Sequence, residues 1–207
     1  MPIDLIHYFD YKSPYAYLAQ QDCYELNQQS HVTVDWRPYT LDIPSYLGSA
    51  ELDSNGKVVA QSRNEHQWRR VKYSYMDCRR EANRRSLTLR GPRKIFDSRL
   101  AHVGFLYAKA QGEWRRYHDT VYKKFWRREL DIEDPNIIAA TLRECGINVD
   151  EFLHFAENDG PELLRDIQTD AESRGVFGVP SYLVGDELFW GAERFLRARE
   201  AVDARTK

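Results

Sequence analysis

Two stretches far apart in the chain carry residue types that could do chemistry together. The first is Phe9-Asp10-Tyr11-Lys12-Ser13-Pro14-Tyr15-Ala16-Tyr17-Leu18. Serine is a favoured helix N-cap, and proline at the first helical position gives up only an N–H that has no helical partner. Behind Pro14, residues Tyr15, Leu18, Ala19, Asp22 and Leu26 recur at roughly helical spacing. Ahead of it the apolar run Ile3 to Phe9 reads as a buried strand. The Ser13 hydroxyl thus stands at the start of a helix that follows a strand. There, backbone N–H groups and the helix dipole favour an anion, including a thiolate. Ser-Pro is also a common helix start that needs no function, so the weight of the case falls on the second stretch, Gly175 to Arg194.

Other chemistries find little support. Cys23, Cys78 and Cys145 are widely spaced and form no C-x-x-C, and the six histidines show neither H-x-x-x-H nor H-x-H. No metal site is expected, and the cysteines read as small apolar residues on helices. A hydrophobic share of 42% and a charged share of 30% over 207 residues indicate a globular chain with an adequate core. No apolar run reaches a membrane span, and Met1-Pro2-Ile3-Asp4 lacks the pattern of a secretory signal, so no membrane and a cytoplasmic location are expected. Charge is uneven: residues 61–94 hold eleven Lys/Arg against three Asp/Glu, and residues 129–172 hold thirteen Asp/Glu against two Arg. A basic run is usually a solvated helical surface; a small-anion field is the next reading, and no nucleic-acid partner is expected.

Stepping along the chain, strand Ile3–Phe9, helix 14–27 and the alternating strand His31–Pro38 make a βαβ unit, with parallel strands and a right-handed crossover. From residue 41 to 174 the composition is irregular and then helical, with no strand expected. The helices fall near 64–89, 98–111, 113–127, 134–146, 149–158 and 161–174. From Gly175 the pattern returns to strand: Ser181–Val184, a Gly185-Asp186 turn, Glu187–Trp190, then a helix over 193–204. The reading is α/β: residues 1–40 and 175–207 form one domain around a mixed four-stranded sheet, and 41–174 form a large all-helical insertion.

A βαβ half, a helical insertion, a Val-Pro before the third strand and a ββα ending resemble the thioredoxin-like fold of DsbA type. Phe9-Asp10-x-x-Ser13-Pro14-Tyr15-x-Tyr17-Leu18-Ala19, Gly175-Val176-Phe177-Gly178-Val179-Pro180-Ser181 and Gly185-Asp186-Glu187-x-Phe189-Trp190-Gly191-x-x-Arg194 resemble the 2-hydroxychromene-2-carboxylate isomerase family, which is close to the kappa-class glutathione transferases. Lys72 with Tyr73, Asp77, Arg80 and Ala82 fits the family's insertion more loosely. The resemblance implies a glutathione-dependent isomerase of an aromatic carboxylate that acts as a homodimer. DsbA-type enzymes carry C-x-x-C where this chain has Ser13-Pro14-Tyr15-Ala16, so no protein dithiol can exchange there. The resemblance instead implies that Ser13 donates to the sulfur of bound glutathione. Val179, before a cis Pro180, would pair with the glutathione peptide, and Ala192 and Glu193 at the last helix's start would meet its γ-glutamyl end. Glu193 stands where the family has Asp. Lys72 is the first choice for the substrate carboxylate, and Tyr15 and Tyr75, with Tyr39 and Tyr73, are candidate pocket aromatics; such aromatics are more often core. The alternatives are a kappa-like transferase or glutathione-dependent oxidoreductase acting on another electrophile, and a cysteine-less DsbA-like binding protein.

Overall fold

The computed structural model describes residues 3–29 and 31–205. Met1 and Pro2, on which the reading of the chain's start partly rests, lie outside the described residues. In chain order the elements are β1 (Ile3–Phe9), α1 (Pro14–Leu26), β2 (Val32–Pro38), α2 (Ile43–Leu47), β3 (Ala50–Leu52), β4 (Val58–Gln61), α3 (Glu65–Arg84), α4 (Arg99–Ala110), α5 (Trp114–Trp126), α6 (Pro135–Glu144), α7 (Phe152–Glu157), α8 (Asp159–Ser173), β5 (Ser181–Val184), β6 (Glu187–Trp190), a 3-10 turn Ala192–Arg194 and α9 (Phe195–Ala204). They form two compact units: the chain up to Leu41 together with Pro161 onward, and Asp42 to Gly160.

The first unit is built on a mixed sheet in the order β2-β1-β5-β6. β1 and β2 run parallel with Leu5 beside Val34 and Phe9 beside Pro38. β5 is antiparallel to β1 and β6 to β5. Strand alternation sorts the side chains into two faces. On one face the His7 ring stacks on Tyr182 at 5.2 Å and meets the edge of Trp36 at 4.7 Å. Trp36 packs on Tyr24 of α1, and Tyr182 on Phe195 of α9. On the other face Arg37 reaches Asp170 of α8 at 2.9 Å. Helices therefore cover both faces, as a mixed sheet with a buried central strand requires. The final helix is shorter than the sequence suggests: residues 192–194 form a 3-10 turn, and the α-helix begins at Phe195.

The second unit is mostly helical, but the expectation of no strand between 40 and 175 is corrected. β3 and β4 form an antiparallel hairpin. Its turn is tied by Asp53, whose carboxylate accepts the N–H groups of Asn55 and Lys57 at 2.8 and 2.9 Å. Every residue of β4 is exposed, so no burial alternation marks it in the sequence. α3 opens on a reciprocal capping box between Asn64 and Gln67. It stops at Arg84, short of the expected Leu89, and Ser86 follows with a φ of 57°. α4 packs against α5 and α6, closely enough that Gly104 faces the Tyr117 hydroxyl.

Two predictions follow from this packing. A Cβ at Gly104 would lie 2.3 Å from Tyr117 Oη, which donates to the Ala101 carbonyl at 3.0 Å. Helix propensity favours Ala over Gly by about 1 kcal/mol, but overpacking a core costs about 1–3 kcal/mol and the displaced hydroxyl loses about 1 more. Gly104→Ala should therefore destabilise by roughly 1–3 kcal/mol in a urea titration, against the sign that propensity alone gives. The second concerns His7, which burial holds at a pKa of about 3, far below the ordinary 6.5. Its neutral form is stabilising above the unfolded pKa of 6.5, and that stability is lost as pH falls toward the folded value of about 3. Going from about pH 7 to about pH 5 should cost roughly 2 kcal/mol through this group. His7→Phe should lack that share of the acid sensitivity in parallel denaturant titrations.

Candidate functional site

Ser13 ends the turn that follows β1. Its backbone N–H donates to the Asp10 carbonyl at 3.0 Å, and its side chain caps α1 by accepting the Ala16 N–H at 3.2 Å. Pro14 holds the first helical position. Because one lone pair of the hydroxyl is committed to the helix, its hydrogen points away from it, and Ser13 Oγ donates to the Val179 carbonyl at 3.4 Å. That bond is long, and an anionic acceptor brought by a ligand would compete for it. Ser13 is 4% exposed.

Val179 and Pro180 are joined by a cis peptide bond. Val179 is buried, its N–H makes no hydrogen bond among the described residues, and its carbonyl accepts only the long bond from Ser13. A backbone with one free donor and one weakly used acceptor suits strand-like pairing with a peptide ligand. The Pro180 carbonyl accepts the Gly191 N–H at 2.9 Å. This bond brings Ala192 and Glu193 to the same end of the sheet, where the 3-10 turn packs on α1. Gly191 has a φ of 107°, and a Cβ there would meet Glu193 Oε2 at 2.7 Å. The exposed Glu193 carboxylate thus folds back over Gly191. Ser13, Val179, Pro180, Ala192 and Glu193 are brought together by this one unit, and half-buried Tyr15 follows Ser13 by two residues on α1.

Lys72 and Tyr75 belong to the second unit, on α3. Lys72 is exposed and lines an open cleft of about 530 Å³ with Val58, Gln61, Glu65, Trp68 and Arg69. Tyr75 is half-buried, and desolvation pushes its phenol up to about 12 against the opposing charge of Arg63. It stays protonated at neutral pH and is a hydrogen-bond donor rather than a base. Tyr73 is exposed, and Tyr39 is core, its hydroxyl on the Val176 carbonyl at 3.4 Å. Sequence reasoning passed over Asp10 and Lys12 as a pair. Asp10 is fully buried and accepts the Lys12 N–H at 3.0 Å and the Leu41 N–H at 2.8 Å. The Lys12 ammonium lies 3.7 Å from Asp10 Oδ2. The one available signal was two opposite charges flanking a turn that ends an apolar strand. Among the described residues no group of three or more His, Cys, Asp or Glu could hold a metal ion, and no helix is long and apolar enough to cross a membrane.

Comparison with known proteins agrees with this architecture. The chain is 29% identical over 190 residues to a 2-hydroxychromene-2-carboxylate isomerase of Sphingobium xenophagum, covering 90% of this chain and 91% of that protein. It is 28% identical over 197 residues to the protein of the same name from Pseudomonas putida, covering 94% and 92%. A solved structure of a 2-hydroxychromene-2-carboxylate isomerase superposes with a TM-score of 0.74 at 25% identity, covering 99% of this chain and 96% of that one. A family model described as the DSBA-like thioredoxin domain matches residues 4–203. The chain belongs to the DSBA-like thioredoxin domain family.

Proposed function

We propose that this protein is a glutathione-dependent cis–trans isomerase of 2-hydroxychromene-2-carboxylate or a related aromatic carboxylate. The observation that carries the reading is the Ser13 hydroxyl, capped onto α1 and aimed at the Val179 carbonyl beside cis Pro180, where oxidoreductases of this fold carry a cysteine. The relatives named as isomerases, at 28–29% identity over most of their length, support the reaction class. The fit of the site to glutathione rests on the free Val179 N–H and on Glu193 near the start of α9.

Bound glutathione would supply a thiolate able to add reversibly to the conjugated double bond, so that rotation about the resulting single bond precedes elimination. The chain's own part is to prepare that anion and hold its carrier. The Ser13 O–H turns from the Val179 carbonyl to donate to sulfur, and the N-terminal end of α1 adds its partial positive charge. Together they favour the thiolate over a free thiol, which is mostly protonated near neutrality. Val179 pairs with the peptide of the ligand, and the Glu193 carboxylate takes its ammonium end. Lys72 is the proposed partner of the substrate carboxylate, and Tyr15 and Tyr75 are proposed as aromatic contacts of the substrate, each on its own unit. A homodimer, which the resemblance to the isomerase family implies, and a cytoplasmic location, expected from the sequence, complete the reading.

Calorimetric titration with reduced glutathione should give micromolar to low-millimolar binding, and the ring-opened chromene carboxylate should isomerise only when glutathione is present. Ser13→Ala should raise the bound thiol's pKa and cut the glutathione-dependent rate about tenfold or more, since one pKa unit is about a factor of ten in thiolate. Full activity in Ser13→Ala, or isomerisation without any thiol, would sink the assignment.

A further inference from the structure

Lys12 is the feature that the reading above leaves unused. The motif shared with the isomerase family leaves residue 12 unspecified, yet here it is a lysine directly before Ser13 with only 7% of its surface exposed. A buried ammonium has three donors and loses its water, so it is retained where acceptors replace that water. Here they do not. Among the described residues the ammonium's only partner is Asp10 Oδ2 at 3.7 Å, outside hydrogen-bond distance. A counter-ion placed solely for Asp10 closes to about 2.7–2.9 Å. Nor does Asp10 depend on it, because each carboxylate oxygen already accepts a backbone N–H, from Lys12 and from Leu41. These contacts place the ammonium where the parallel strands β1 and β2 end and α1 begins, the customary ligand crevice of open α/β sheets.

We infer that Lys12 is an anion-binding residue of this site, its free donors taking the negative charge of a ligand docked at Ser13. The inference rests on the proposed glutathione reading, and two anions share the chemistry: the glutathione thiolate and the carboxylate of the aromatic substrate. Lys12 thereby adds a cation beside Ser13, where the structure otherwise offers an anion a hydroxyl and a helix terminus.

The test uses Lys12→Met, which keeps the length and removes the charge, and Lys12→Arg, which restores the charge. The thiol pKa of bound glutathione is read from thiolate ultraviolet absorbance against pH, and kcat and KM for the carboxylate substrate are measured beside it. If Lys12 holds the thiolate, Lys12→Met raises that pKa by about one unit, a tenfold loss of thiolate at neutral pH, and Lys12→Arg restores it. If it holds the carboxylate, KM rises about tenfold in Lys12→Met with the thiol pKa unchanged, and Lys12→Arg recovers it. Both values within about twofold of wild type in folded Lys12→Met overturn the inference while leaving the glutathione site intact. Should the bared Asp10 prevent folding, the double variant Asp10→Asn/Lys12→Met is read by the same criteria. Absence of glutathione binding by the wild-type protein overturns the site reading, and the role of Lys12 with it.

Discussion

The buried Asp10 carboxylate is the constraint on which the site depends. It follows β1 directly and accepts the N–H of Lys12, in the turn, and of Leu41, beyond β2. One charged acceptor thus ties together the ends of the two parallel strands and fixes where α1 starts. Hydrogen bonds to a charged group are worth about 1.5–3 kcal/mol each, more than their neutral counterparts. The Asp10 carbonyl adds a third tie by accepting the Ser13 N–H. The position of the Ser13 hydroxyl is therefore set by backbone bonds rather than by a flexible loop, and the cis peptide at Val179–Pro180, just ahead of β5, meets it.

A serine at this helix start changes what the fold can do. The chain's three cysteines are free and buried. Burial raises the Cys23 thiol well above its ordinary range, and burial also raises Cys145, with Thr120 partly opposing. None is placed or poised as a nucleophile, because nucleophilicity requires an accessible thiolate. Any sulfur chemistry at Ser13 must use a thiol that arrives with a ligand. The scaffold keeps the anion-favouring helix terminus and the open backbone at Val179, and lacks only a cysteine at the helix start.

Much of this was legible in the chain. The βαβ start, the Gly185-Asp186 turn and the return strand follow from apolar runs bounded by turn residues, and β5 is buried along its whole length. The hairpin of β3 and β4 was not legible, since strands of three and four residues lying on the surface have no face to alternate. α3 ends early at Ser86, a backbone conformation that composition does not announce. The two-residue shortfall at the start of the last helix is not legible, because the 3-10 turn there follows Gly191 and its bond to Pro180, a contact between distant backbone groups. The Asp10–Lys12 pair was missed for a different reason. Its meaning depends on Leu41, thirty-one residues on, which only the parallel pairing of β1 and β2 brings close.

The single hydrogen of Ser13 links the two halves of the proposed site. It points to the Val179 carbonyl because the opposite lone pair is held by Ala16, so it cannot serve sulfur and Val179 at once. A thiolate that takes the hydrogen releases the carbonyl, and an extended peptide beside Val179 offers an N–H to that carbonyl and a carbonyl to the free Val179 N–H. A ligand carrying both a thiol and a peptide unit therefore replaces the bond it breaks and pairs the donor left idle. A simple thiol breaks the same bond and leaves the released carbonyl unpaired in a buried place, at a cost of about 1–3 kcal/mol. At the proposed site the hydroxyl would therefore favour a thiol carried on a peptide over a simple thiol.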